Sequence, residues 1–246
     1  MNNTTSEQFR PHPNSGGLST LIRRLADLQV HTVMRSIIPW LQKRSGHIAE
    51  IGCGSQPYRH YLPNSCDYIG IDHAQAEENF DYKSSEVIYY EGNTFPLDSD
   101  HFDSLFHTEV LEHVIDTKLF LKECHRVLKP GGDLFFTVPF QARYHYIPYD
   151  YWRFTPSALE MLLCEMDFNH IQIKSRGSDI VVAGYKVVSL FYRYLLSKNP
   201  IGWLLALFLL PAAAAGLILA HLAILLNLGS KDDCLGFSVY ASKHKE

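Results

Sequence analysis

Glu50 lies two positions before the Gly52-Cys53-Gly54 turn at the end of the apolar run Ile48-Ala49-Glu50-Ile51, and Asp72 closes a second apolar run eighteen residues after Gly54. These are the residue types of a nucleoside site. Two glycines where a strand gives way to a helix let the backbone approach a ligand, and a carboxylate ending the next strand accepts hydrogen bonds from a ribose diol. A dinucleotide fingerprint would add a third glycine, but Gln56 and Pro57 follow and Glu50 precedes the turn, against a pyrophosphate seat. The expected ligand therefore carries no phosphate. A dinucleotide-dependent oxidoreductase is kept as an alternative that nucleotide competition would separate.

A second constellation runs Val138-Pro139-Phe140, His145, then Pro148-Tyr149-Asp150-Tyr151-Trp152-Arg153-Phe154-Thr155-Pro156. With an intrinsic pKa near 6.5, His145 can take a proton from a hydroxyl or phenol. Arg153 can grip an acidic substrate group or pair with Asp150. The structural alternative is that Asp150 and Arg153 only fix each other while the aromatic residues cover a cofactor.

Composition narrows the classes. A formal charge of −4 offers no basic field for nucleic acid. Cys53, Cys66, Cys124, Cys164 and Cys234 show no Cys-x-x-Cys spacing and are odd in number, which points to a reduced, cytoplasm-facing setting. Thirteen histidines include no His-Glu-x-x-His or similar spacing, so no metal site is expected.

The elements that must hold these residues alternate as short apolar runs and helical stretches, the pattern of parallel strands joined by right-handed crossovers. Strands are expected near 47–51, 67–71, 86–90, 103–107, 132–138 and 169–175, and helices near 57–62, 117–128 and 156–166. Ligands of such sheets sit beyond the carboxyl ends of the strands, where Gly52, Asp72, Glu91 and His107 fall. Before the first strand, residues 1–17 read as a tail. A helix over 18–42 then carries Leu21, Ile22, Leu25, Leu28, Val33, Ile37 and Ile38, as a structural cap or a lid.

Tyr68-Ile69-Gly70-Ile71-Asp72, Phe95-Pro96-Leu97 with Phe102-Asp103, Glu109-Val110-Leu111-Glu112-His113-Val114 and Leu128-Lys129-Pro130-Gly131-Gly132 resemble, in order and spacing, the class I S-adenosylmethionine-dependent methyltransferases of the type 11 group. The resemblance covers roughly residues 46–175 and the last ten or so. It implies an α/β, Rossmann-like, doubly wound sheet of seven strands, mostly parallel with an antiparallel last strand at 235–243, and S-adenosyl-L-methionine as cofactor. It further implies that Glu50, Gly52, Cys53 and Gly54 border the methionine end, that Asp72 holds the ribose, and that Glu91, Gly92 and Asn93 neighbour the adenine. The family usually has Asp where Glu91 stands. His107 and Thr108 should face the sulfonium, with Glu109 and Glu112 nearby or capping a helix. The loop around His145, Asp150 and Arg153 resembles that of a subset of the family and supplies the candidate catalytic residues.

The chain departs from the family's minimal pattern after the sixth strand. Residues 180–196 are apolar but carry Lys186 and Arg193, and no charged residue occurs from Asn199 to Ser230. A helix of that length would run about 48 Å, against a hydrocarbon core of roughly 30 Å. Because 235–243 should pair in the same sheet as 169–175, both ends of the insertion lie on one side of any bilayer. A single crossing is thereby excluded. Charges at a bilayer centre cost about 2.5–3.5 kcal/mol each and little at the interface, which favours monotopic attachment through 180–228, with 201–228 bent at Pro211. The alternative is a soluble helical pair or a dimer contact.

The expected organisation is a tail (1–17), a preceding helix (18–45), a methyltransferase core (46–178), an apolar insertion (179–230) and a last strand (231–246). The expected enzyme moves a methyl group to oxygen, nitrogen or carbon of a small-molecule or lipid-like acceptor at the cytoplasmic face of a membrane. A lipid, a lipid-linked glycan or a quinone precursor fits the aromatic cluster from Tyr144 to Phe154. A soluble metabolite acceptor, or a non-catalytic cofactor-binding membrane protein, are the alternatives.

Overall fold

The computed structural model describes residues 25–74 and 84–245; the expected tail and the first part of the expected leading helix lie outside them. Helix α1 (Leu28–Leu41) starts where the Asp27 carboxylate accepts hydrogen bonds from the Gln29 and Val30 amides, at 3.0 and 3.2 Å. Its Val33, Ile37 and Leu41 pack on Ile48, Phe106 and Phe135 of the sheet. It covers one face of the sheet, as a structural cap does.

The sheet has the order β3-β2-β1-β4-β5-β7-β6. Its strands are β1 (His47–Ile51), β2 (Asp67–His73), β3 (Val87–Tyr90), β4 (Phe102–Thr108), β5 (Leu128–Pro139), β6 (Phe168–Arg176) and β7 (Gly236–Lys243). β1 to β5 pair in parallel, and β7 runs antiparallel to both neighbours. The order reverses between β1 and β4, which opens the ligand crevice at their carboxyl ends. On the face opposite α1, helices α2 (Thr117–Val127) and α3 (Pro156–Glu165) bury Leu121, Cys124, Leu159 and Leu163 against Leu105, Leu134, Phe136 and Val239. Burial on both faces explains why β5 reads as a continuous apolar run.

Two elements differ from the sequence reading. β5 begins at Leu128 rather than near 132, because Phe102 pairs with Leu128 across a register shift before Ser104 meets Asp133. The stretch 57–62 forms only a 3-10 turn, Arg59–Tyr61, because Pro57 and Pro63 bracket it. Pro211 lies inside α5 (Pro200–Leu226), which is one continuous helix.

The insertion is a helical hairpin of α4 (Asp179–Leu195) and α5, turned at Asn199, whose side chain accepts from the Ile201 amide at 3.0 Å. The helices meet at small residues. A Cβ added at Gly184 would lie 2.6 Å from the Gly216 carbonyl oxygen and 3.0 Å from the Ala220 Cβ. The hairpin returns to its starting point, where the Asp179 and Ser230 amides bond across its base at 3.1 and 2.9 Å. That base stands at the carboxyl end of β6, on the edge of the sheet where the crevice opens.

Candidate functional site

At the end of β1 the chain turns through Gly52 (φ +66°) and Gly54 (φ +47°). A side chain at Gly52 would come 2.6 Å from the Val110 side chain, whereas nothing lies within 4 Å of a Cβ at Gly54. The turn is closed beneath and open above. The Gly54 and His73 amides each donate to the Asp72 carboxylate at 2.8 Å, and this holds the first turn against the end of β2. Burial raises the Asp72 pKa, with the two amides acting in the opposite direction.

Glu50 is almost wholly buried and accepts a hydrogen bond from the Tyr68 hydroxyl. Burial, with a contribution from the Asp72 charge, pushes its pKa up to about 8 despite that bond. Room for the Tyr68 ring exists because Gly70 carries no side chain: a Cβ there would lie 3.0 Å from the Tyr68 hydroxyl and 2.9 Å from the Cys53 sulfur. Cys53 is buried, and its thiol pKa is raised by burial and by Glu50. It packs rather than reacts.

Thr108, at the end of β4, lies beside the Tyr58 phenol. Glu91 and Asn93 are exposed just beyond β3, at the same edge. His107 does not face the crevice. It is fully buried, stacked on Phe136 at 4.6 Å and edge-on to Phe120 at 5.2 Å, with no hydrogen-bond partner at either ring nitrogen. Burial pushes its pKa down to about 3, so it is a neutral core residue. Its position at a strand end was legible in the sequence, but alternation points its ring into the α2 layer.

The second cluster forms where the loop after β5 wraps the segment after β4. Glu109 has φ +53°, and the chain then makes a 3-10 turn, Leu111–His113. The loop is fastened to this turn by the Tyr151 and Trp152 amides, which donate to the Glu112 carbonyl at 2.9 and 3.2 Å, and by the Trp152 indole, which donates to the Val114 carbonyl at 2.9 Å. Asp150 is gripped by both terminal nitrogens of Arg153 at 2.6 and 2.7 Å and accepts the His145 amide at 2.9 Å. Burial opposes the ionised form of Asp150, but Arg153 and His145 outweigh it and hold the pKa below the usual carboxylate range. His145 Nδ1 lies 3.0 Å from the Arg143 carbonyl and 3.1 Å from Asp150. His145, Asp150 and Arg153 thus form one unit, and Arg153 is engaged with Asp150 rather than free for a substrate acid.

Sequence reasoning missed Tyr58, Tyr68, His113 and Arg176. Arg176, nearly fully buried, donates to Glu109 at 2.7 Å and to the Val138 carbonyl at 3.1 Å. It fits because Gly236 lacks a side chain; a Cβ there would lie 2.3 Å from the guanidinium. The available signal was an arginine closing an otherwise alternating strand opposite a glycine. Around the loop, Tyr144, Ile147, Tyr151 and Trp152 are exposed and form an apolar rim.

A crevice at the switch point, a glycine turn held by the carboxylate that ends the next strand, and this strand order are together the arrangement of the class I methyltransferase fold. Residues 49–136 match the family model described as a methyltransferase domain. Over 102 residues, 37% of the chain, it is 35% identical to the human mitochondrial ubiquinone biosynthesis O-methyltransferase. The chain spans 28 to 42% of the length of curated relatives of that kind. A methyltransferase structure from Archaeoglobus fulgidus superposes with a TM-score of 0.55 at 14% identity, over 92% of this chain and all of that one. Phosphoethanolamine N-methyltransferase 2 of Haemonchus contortus, in complex with S-adenosyl-L-methionine, gives 0.50 at 15% identity over 89% of this chain and 52% of that one.

Proposed function

We propose that the chain transfers the methyl group of S-adenosylmethionine to an amphipathic, membrane-held acceptor, with an oxygen of a quinone-precursor or lipid-type molecule as the favoured target. One observation carries this reading: an apolar hairpin stands on the same sheet edge as the cofactor crevice and has its packing turned outward. α5 buries Gly202, Ala206, Ala213, Ala220 and Ala223, while Trp203, Leu204, Leu207, Phe208, Ile218, Leu219, Leu225 and Leu226 are exposed. Only 17% of its most apolar window is buried. A soluble helical pair places large residues inside and small or polar ones outside, whereas small-residue contacts with lipid-facing large ones are the membrane pattern. Lys186 and Arg193 are exposed on α4. A hairpin standing upright in a bilayer would immerse both, so the hairpin lies in the interface. The acceptor then enters from the cytoplasmic leaflet past the aromatic rim.

In this reading Glu50 and the glycine turn receive the methionine end of the cofactor, Asp72 the ribose hydroxyls, and Glu91 and Asn93 the adenine side. The sulfonium is already activated, so the protein supplies alignment and exclusion of water. His145, held by Asp150 and Arg153, meets the acceptor atom. The experiment incubates the full-length protein with methyl-labelled S-adenosylmethionine and a membrane extract. Label in the organic phase supports the reading; label confined to the aqueous phase turns it toward a soluble metabolite.

A pH dependence follows from Glu50. With a pKa of about 8 in the empty crevice, Glu50 holds its proton at neutral pH. A ligand ammonium beside it favours the carboxylate, lowers that pKa and expels the proton. Cofactor affinity therefore rises as pH increases toward 8, by up to about tenfold per unit where a whole proton is released. Calorimetry at pH 7 in buffers of different ionisation enthalpy reads this release directly. Binding with no proton release would remove Glu50 from contact with the ligand's charge.

A further inference from the structure

We propose that a cavity on the α1 face of β6 and β7, separate from the cofactor crevice, binds the phosphate of a phosphate ester. The strands make its floor. β6 and β7 turn Ile173, Phe237 and Val239 toward the α2 and α3 layer, so alternation turns Gln172, Lys174, Ser238 and Tyr240 to the other face. In register, Lys174 stands beside Ser238 and Gln172 beside Tyr240. α1 packs on β1, β4 and β5, with Trp40 stacked on Phe135 at 5.2 Å. Between α1 and the end of α5 there remains a cavity of about 730 Å³, a size that holds a whole small molecule.

Six basic side chains line this cavity, Arg35, Lys43, Arg44, Lys174, Arg176 and Lys231, and no acidic residue among the described ones does. In a chain of net charge −4 this is a local reversal of sign. Two of the six are neutralised, Arg44 by Asp133 and Arg176 by Glu109. The other four have no ion-pair partner among the described residues.

The same cavity holds donors with nothing to donate to. Ser238 is 6% and Arg176 3% exposed. The Ser238 hydroxyl, the Arg176 Nε and the Trp40 indole nitrogen are buried without a hydrogen-bond partner among the described residues. Buried polar groups are ordinarily satisfied, and all three of these can donate. Cations and unused donors around one concavity fit an oxyanion of high charge. A phosphate monoester brings a charge of about −1.5 to −2 and three acceptor oxygens, more than a carboxylate offers. Ile224 and Leu225 of α5, with Pro39 and Trp40 of α1, add apolar surface for the rest of the ester. Because the cavity ends on the hairpin, a lipid headgroup is the favoured source, and that choice alone rests on the interfacial placement of the hairpin.

The test is calorimetric titration of the full-length protein in neutral detergent, without cofactor, so that its outcome is independent of the methyl-transfer reading. The probes are dihexanoyl phosphatidic acid, dihexanoyl phosphatidylcholine, glycerol 3-phosphate and inorganic phosphate. One phosphatidic acid per chain is expected, bound at least about 10-fold more tightly than phosphatidylcholine and displaced by excess inorganic phosphate. Lys174→Gln combined with Lys231→Gln should weaken this binding at least about 10-fold and reduce its salt dependence, and Ser238→Ala should weaken it about 3- to 10-fold. Both lysines are exposed, so their replacement leaves the fold intact. Lys118→Gln with Lys122→Gln, an equal loss of charge on α2 across the sheet, should change it by less than about 2-fold. Phosphatidic acid bound at least about 10-fold more tightly than glycerol 3-phosphate assigns the site to a lipid headgroup, and equal affinities assign it to a soluble phosphate ester. No saturable binding of any phosphate probe, equal binding of the two lipids, or binding unaltered by the Lys174 and Lys231 substitutions would overturn the proposal.

Discussion

Phe208→Glu combined with Leu219→Glu will release the full-length protein from vesicles while leaving its melting temperature nearly unchanged. These side chains are 82% and 57% exposed and sit eleven residues apart, on one face of α5. Burying a Phe or Leu side chain in an apolar phase is worth about 1.5–3 kcal/mol, so losing two removes about 3–6 kcal/mol of partitioning. The bound fraction should fall by roughly two to four orders of magnitude in partition coefficient, before counting the cost of two carboxylates near anionic lipid. Stability should move by less than about 0.5 kcal/mol per site, because exposed groups leave no cavity. Flotation with vesicles reads the first quantity and calorimetric melting the second. Should the variant remain vesicle-bound, or should the parent form a dimer through this face and ignore lipid, the hairpin is a protein contact and the acceptor need not be membrane-held.

Asp72→Ala will weaken S-adenosylmethionine binding by about 1.5–3 kcal/mol, roughly 13- to 160-fold, the range for hydrogen bonds to a charged group. Two effects combine. The ribose would lose the acceptor proposed for it, and the Gly54 and His73 amides lose the 2.8 Å bonds that hold the turn in place. Asp72→Asn separates them, since the amide keeps one acceptor oxygen for the turn while weakening the ribose contact. Its affinity should fall between parent and alanine variant. Equal affinity in all three proteins would show that the ligand does not lie over β2.

The fold was readable because its signals are local or periodic. Apolar runs marked the strands, and β5, covered on both faces, stood out as Leu134 to Val138. The glycine turn and Asp72 could be grouped because β1 and β2 are neighbours in parallel register, Ile51 beside Ile71. What escaped the sequence depends on facing or on loop wrapping. His107 occupies a strand end, yet its register opposite Phe136 turns the ring into the core. Tyr68 reaches Glu50 only through the space left by Gly70. The convergence of His113 and His145 on Glu112 needs the loop to be tied to the Glu112 carbonyl, a contact between residues 39 and 40 positions apart that no spacing rule encodes.

The crevice over Glu50, Gly54 and Asp72 is expected to take a phosphate-free methyl donor. Equilibrium binding to the purified full-length protein tests it most directly. S-adenosylmethionine should occupy one site per chain, S-adenosylhomocysteine should compete for it, and NAD should not. Tighter binding of NAD, or no saturable binding of either sulfur nucleoside, would contradict the account.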